Sequence, residues 1–158
     1  MTGHPATDVM LIVAYVGGMW VVTFYALATL TGWQTLARRF PAAPPLEGAD
    51  RGIGSVSIGS CGNYNNCIRW ASDENALHLR ILPGFNLFHA PMSIPWSEVQ
   101  SLTPVERGFR RGWVTLHIGA TRLTVPGRAA QRELALRAQI AERDQAEADL
   151  VESGDQVL

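Results

Sequence analysis

GWVTLHIGATRLTV, residues 112–125, is the stretch that decides the architecture. Val114, Leu116 and Ile118 alternate with more polar neighbours, Gly119-Ala120 fits a two-residue type II′ reversal, and Leu123 and Val125 alternate back. A period of two puts one apolar row on one face of a strand, and a glycine-led pair between two such runs marks a hairpin. The surrounding chain is therefore to be read as antiparallel β structure.

Upstream of the hairpin the same period continues. SVSIG (55–59) reads as a short strand, and the Asn- and Gly-rich CGNYNNC (61–67) as a tight reversal leading into CIRWA. SDEN (72–75) is a second turn. ALHLRIL (76–82) then places Leu77, Leu79 and Ile81 on one face and His78 and Arg80 on the other. In FHAPMSIPWSEVQSL (88–102), Pro91 and Pro95 bar a helix and a central ladder position, so MSI reads as an edge strand whose exposed edge offers a docking surface. Trp96 is expected to pack over the core where the chain turns at Ser97-Glu98. VQSLTPV continues as a strand with Val99 and Leu102 inward. His89 lies between two apolar segments, where its imidazole is expected to bond a backbone carbonyl and fix the approach to Pro91.

Downstream, Pro126-Gly127 breaks the last strand and strong helix formers follow, with Ala130, Leu134, Ala138 and Ala141 on one face. From Glu142 to Asp155 there are six acids and one Arg, and ESGDQVL should fray. The acidic helix end is a second candidate docking surface.

Val9 to Leu30, VMLIVAYVGGMWVVTFYALATL, contains no charge. At about 1.5 Å per residue it spans roughly 33 Å, enough for a hydrocarbon core of about 30 Å. A cleaved signal peptide is the main rival, since ALA at 26–28 imitates a cleavage site, but the leader MTGHPATD lacks Lys and Arg and carries Asp8. A buried helix is the other rival, and such helices usually show a polar face. Arg38, Arg39 and Arg51 follow the span and no basic residue precedes it, so the C-terminal side is expected in the cytoplasm. Trp33, Leu36, Ala37 and Phe40 recur at helical spacing, which extends the helix as an apolar stripe along the interface. Trp33, Arg38 and Arg39 are then interfacial residues. PAAPPLEGAD (41–50) is a stiff spacer.

The expected fold class is α+β. A tail over 1–8 precedes a transmembrane helix over 9–31, and a juxtamembrane helix and linker occupy 32–50. A partly open antiparallel barrel of six or seven strands, closed by a C-terminal helix, fills 51–143, with an acidic helix end and tail over 144–158.

All 13 basic residues are Arg, which removes lysine Schiff-base chemistry and a Walker-type phosphate lysine. A net charge of −1 gives no global bias toward nucleic acid. Cys61 and Cys67 are spaced C-x5-C, unlike the close pairs of structural zinc sites, and His78 and His117 fall on outward faces, so no metal is expected. GIGSVSIGSCG lacks the GK[ST] of a phosphate loop. No catalytic constellation and no cofactor are expected. ERGFRRGW (106–113) gathers Arg107, Arg110 and Arg111 around Phe109, flanked by Trp113, in a hairpin loop suited to an anionic lipid surface.

The strand order with a terminal helix, together with IPWSEV (94–99), resembles bacterial pleckstrin-homology-like and GRAM-like modules over roughly residues 52–141. GWQTLARRF, YNNC and ALHLRILPGFNLFHAPMSIPWSEV resemble an uncharacterised family of small bacterial membrane-anchored proteins. Its pattern is Gly-Trp-x-x-Leu-Ala, Tyr-Asn-Asn-Cys and His-x-Pro-x-x-Ile-Pro-Trp-Ser. The resemblance implies a bacterial family and no activity. The apolar span, the arginines after it and the β module together lead to the expectation of a non-enzymatic, single-pass binding or scaffold module at the cytoplasmic face of the bacterial inner membrane. Its expected partners are the membrane, anionic lipid headgroups and another protein. The alternatives are a thiol- or metal-dependent enzyme or redox protein using Cys61 and Cys67, and an exported β domain after signal cleavage.

Overall fold

The structure, a computed structural model, describes residues 5–155 apart from 61 and 107. Helix α1 runs Pro5–Leu30 and α2 Trp33–Arg39. Strands follow as β1 (Asp50–Ile58), β2 (Gly62–Ser72), β3 (Ala76–Ile81), β4 (Met92–Pro95), β5 (Ser101–Val105), β6 (Trp113–Ile118) and β7 (Thr121–Pro126), and α3 runs Gly127–Asp155. Among the described residues the seven strands form one antiparallel sheet in the order β4-β3-β2-β1-β7-β6-β5. It curls into a half-barrel between an apolar N-terminal helix and a C-terminal helix, the α+β arrangement expected.

The alternation read from the sequence sets the inner face. Leu77, Leu79 and Ile81 of β3, Val114, Leu116 and Ile118 of β6, and Leu123 and Val125 of β7 are all buried. Ile118 and Thr121 pair across the Gly119-Ala120 turn. Trp96 opens a 3₁₀ turn over Trp96–Glu98, is buried, and donates from Nε1 to the Asp73 carbonyl at 2.9 Å. Val99 is buried beside it and Leu102 partly so.

Four expectations are corrected. The YNNC segment is not a reversal: β2 runs straight through it and the turn falls earlier, after Ile58. The asparagines build a bulge instead, with the register slipping between Gly54 and Val56 and Asn66 at φ 50. Ser57 Oγ bonds Asn63 Oδ1 at 2.7 Å, and the Asn66 amide bonds Ser55 Oγ at 2.8 Å. Side-chain amides that favour turns serve equally at a bulge. Second, the stripe Trp33, Leu36, Ala37 and Phe40 faces protein rather than lipid, because the helix breaks at Gly32 (φ 81) and α2 turns these side chains into the core.

Third, β4 is the edge strand, but its edge is not open. Pro41 bridges Met92, the Ser93 amide donates to the Phe40 carbonyl at 3.2 Å, and the Ala43 amide donates to Ser93 Oγ at 2.7 Å, so the linker covers it. Fourth, among the described residues α3 meets the sheet through its first turns only. Ala129, Ala130 and Glu133 are buried and Leu134 is partly so, whereas Ala138 and Ala141 are exposed. The helix also continues to Asp155 through the expected frayed stretch, of which residues 156–158 lie outside the described residues.

Asp73 in the β2–β3 turn holds several elements at once. Its Oδ1 accepts the Asn75 and Ala76 amides, each at 2.9 Å, while Oδ2 accepts the linker amide of Leu46 at 2.8 Å and contacts His78 Nε2 at 2.9 Å. Burial alone would raise this carboxyl, but the donors from Leu46, His78, Asn75 and Ala76 outweigh it and hold it at about 2 against an ordinary 3.8. A carboxyl depressed in the folded state stabilises above its unfolded value and ceases to do so as pH falls through the folded one. The chain should therefore lose about 2 kcal/mol between roughly pH 4 and pH 2 from this group. Asp73→Ala should lower stability by about 3 kcal/mol at pH 7 and flatten that acid limb. Urea unfolding in detergent micelles, followed by tryptophan emission, reads both effects.

Candidate functional site

α1 contains 25 residues, Ala6–Leu30, of mean hydropathy 1.9, long and apolar enough to cross a membrane, and its apolar window is not buried in the protein. Only its C-terminal end touches the sheet, with Ala28 and Thr31 buried. The corner where it does so is built from side chains that the β period aims inward. Gly62 opens β2 against this end of the helix: a Cβ there would lie 2.7 Å from Thr31 Cβ and 2.8 Å from the Ile58 carbonyl, so only glycine permits the approach.

A polar chain runs through the corner. Thr31 Oγ1 donates to the Leu27 carbonyl at 2.7 Å and lies 2.8 Å from the Tyr64 hydroxyl, which lies 3.1 Å from His89 Nε2. His89 Nδ1 donates to the Leu87 carbonyl at 2.7 Å, so a neutral ring leaves Nε2 as the acceptor for the Tyr64 phenol. His89 is buried and does bond a backbone carbonyl as expected, and its other nitrogen ties the β3–β4 loop to Tyr64 of β2. Burial pushes the imidazole below its ordinary value, opposed by the Leu87 carbonyl. Burial likewise pushes the Tyr64 phenol up, opposed by Thr31.

Aromatic rings enclose this chain. Trp33 is fully buried, donates from Nε1 to the Ala90 carbonyl at 2.8 Å, and packs 5.1 Å from Tyr64 and 5.6 Å from His89. Phe24 of α1 meets His89 edge-on at 6.2 Å and Phe85 at 6.2 Å, while Tyr25 meets Phe88 at 5.5 Å. The β3–β4 loop thus lies against the last turns of α1, and its Phe85, Leu87 and Phe88 remain exposed.

The arginine loop stands close to the same corner. Arg110 Nη2 donates to Asn63 Oδ1 at 2.6 Å, one residue from Gly62, and its guanidinium lies 5.4 Å over the Trp113 ring. Phe109 at the tip is fully exposed and Arg111 is exposed. Arg107, like Cys61, lies outside the described residues. Of the expected interfacial residues, Trp33 is in the core, Arg38 is exposed, and Arg39 is exposed and bonds Glu98 at 2.7 Å. Pro91 sits in the loop beside α2, Pro95 pairs with Ala76, and Trp96 is in the core.

Thr31, Phe24, Tyr64, Phe85 and Phe88 are members of the corner that sequence reasoning missed. The one available signal was the density of aromatics in GFNLFHAP, residues 84–91. Cys67 is partly buried and its thiol is pushed up by that burial, the opposite of activation as a nucleophile. Among the described residues no three His, Cys, Asp or Glu side chains gather as metal ligands would. No family model matches the chain, and neither a curated protein nor a solved structure gives a match.

Tyr64→Phe removes the phenol that Nε2 of His89 accepts and should cost about 1–2 kcal/mol. Combining it with Thr31→Val should cost less than the sum, because both break one chain. A base depressed in the folded state withdraws stability as pH falls below its ordinary value, here 6.5. Wild type should therefore weaken from about pH 6.5 downward, well above the range where Asp73 titrates. Urea midpoints across that range check both statements.

Proposed function

We propose that the chain is a membrane-anchored, non-enzymatic scaffold: a pleckstrin-homology-like module held by α1 at the cytoplasmic face of a bacterial inner membrane, where it binds anionic lipid headgroups and a protein partner. The observation that carries this reading is the clasp at the corner. Phe24 and Tyr25 of the apolar helix pack on Phe85, His89 and Phe88 of the β3–β4 loop, so the sheet is set against the end of the helix instead of trailing on a free linker. With α1 in a bilayer, the exposed Phe85, Leu87 and Phe88 sit beside the segment that leaves it, at the depth where aromatic side chains are favoured.

The seven-strand order ending in a helix supports the module, and the basic residues that follow α1 support the cytoplasmic side. The loop Phe109-Arg110-Arg111 supports contact with an anionic surface: each arginine near such a surface contributes about 1 kcal/mol, and Phe109 is free to enter the interface. Retention of the intact chain by carbonate-washed membranes, with a C-terminal reporter active in the cytoplasm, is the expected outcome. Release of the chain, or activity only outside, overturns the proposal.

Lipid contact has its own measurement. In a chain whose two cysteines are serine, an environment-sensitive dye on Phe109→Cys should shift to the blue in nanodiscs containing phosphatidylserine relative to phosphatidylcholine alone. The shift should fade with salt and be abolished by Arg110→Gln with Arg111→Gln. Identical emission in both lipids removes the lipid contact.

A further inference from the structure

The outer face of the first four strands carries a second basic site, unrelated to the loop at 106–112. Cross-strand register sets its layout. Arg51 of β1 lies opposite Ala71 of β2, and Ala71 lies opposite His78 of β3, which bonds Ser93 of β4. One step along, Ile53 lies opposite Arg69, and Arg69 lies directly opposite Arg80. Arg51, Arg69 and Arg80 are thus neighbours around the small side chain of Ala71. The linker passes alongside, pinned by the Ser93 and Asp73 bonds to Ala43 and Leu46, and closes a groove of about 340 Å³ against them. That volume lies within the range of small-molecule sites, about 300–1,000 Å³.

The charge in this groove is unbalanced. Among the described residues no carboxylate lines it. Asp73, which bonds the groove's own His78, is also held by Leu46, Asn75 and Ala76, and Asp50, next to Arg51 in sequence, is paired with Arg132 at 2.8 Å. Among the described residues Arg51, Arg69 and Arg80 form no ion pair, whereas Arg39, Arg132 and Arg137 each do. Like charges directly opposite on adjacent strands are destabilising, so the Arg69–Arg80 pair is a cost to the free protein that an anion between them would relieve. A guanidinium matches phosphate oxygens with two parallel N–H donors, and three of them around one floor suit a multiply charged oxyanion. Ala42, Ala43 and Pro45 add an apolar wall beside it.

We propose that this groove is a binding site for a phosphate-bearing small ligand or headgroup, its phosphomonoester or diphosphate held by Arg51, Arg69 and Arg80 over Ala71 and its remaining part lying along Ala42, Ala43 and Pro45. Pyrophosphate is the probe. Full-length protein in phosphatidylcholine nanodiscs, titrated calorimetrically at low salt, should bind one pyrophosphate saturably. Arg69→Gln with Arg80→Gln should weaken that binding at least about tenfold, by removing two charge-assisted contacts. The same double variant should melt higher than wild type without ligand, a gain that relief of repulsion gives and loss of a structural contact does not. Arg110→Gln with Arg111→Gln should bind pyrophosphate as wild type does, which separates this groove from the lipid-facing loop.

Nanodiscs doped with phosphatidic acid distinguish the sources. If the lipid competes with pyrophosphate, the natural group is a headgroup; if it does not, the group is soluble. Absence of saturable binding to pyrophosphate, inorganic phosphate and phosphatidic acid, or equal binding by the Arg69/Arg80 variant, overturns the proposal.

Discussion

The burial of Trp33 constrains everything that follows it. The chain leaves an apolar helix at Leu30 and within three residues has a tryptophan wholly inside the β domain, with Nε1 on the Ala90 carbonyl and the ring against Tyr64 and His89. Enclosing an indole of this size contributes about 3 kcal/mol by area, before its hydrogen bond is counted. The consequence is geometric as much as energetic. A rigid bicyclic ring three residues past α1 leaves the domain little freedom to swing about the helix axis, so the side of the sheet that meets α1 is decided. The β3–β4 loop, whose Ala90 carbonyl receives the indole proton, is brought to that side, with Phe85 and Phe88 onto Phe24 and Tyr25.

Much of the fold was legible because strand burial here is one-sided. Val114 to Val125 and Leu77 to Ile81 alternate cleanly, since each strand has one face in the core, and a period of two leaves little choice of face. Pro91 and Pro95 marked an edge strand correctly. What covers that edge was not legible: Pro41 to Ala43 reach it through backbone groups and Ser93, and backbone pairing leaves no trace in side-chain pattern. The α2 stripe was read with the right face and the wrong medium. An apolar row at i, i+3, i+4, i+7 is the same signal whether lipid or protein covers it. The break at Gly32 is what redirects it, and one glycine beside a long apolar run carries little weight from sequence alone.

The candidate site was less legible for a related reason. His89 could be placed by its flanking apolar segments, but its partner Tyr64 lies 25 residues away, and Tyr64's own partner Thr31 lies 33 residues from Tyr64. Tyr64 was taken into a reversal because its neighbours are asparagines. In the structure those asparagines bond Ser55 and Ser57 across a bulge, which lets β2 continue and delivers the phenol inward to His89. Local propensity pointed to a turn, and cross-strand hydrogen bonding overrode it.

All 13 of the Lys-or-Arg positions in this chain are Arg, and several of these guanidinium groups tie the fold together. Arg137 reaches from α3 to the Trp96 and Val99 carbonyls while paired with Glu133, and Arg132 spans from α3 to Asp50 and the Gly48 carbonyl. Arg110 bonds Asn63 while stacked on Trp113. Arg132 and Arg137 join segments distant in sequence through several donors in one plane, and Arg110 does so through one donor and its stacked face, which a lysine ammonium at the same place does not reproduce. Among the described residues Arg51, Arg69 and Arg80 form no ion pair. They sit at register positions where a neutral residue would serve the sheet better, two of them face to face. A cluster that the fold does not use and that opposes its own stability is most economically explained by a ligand that does use it.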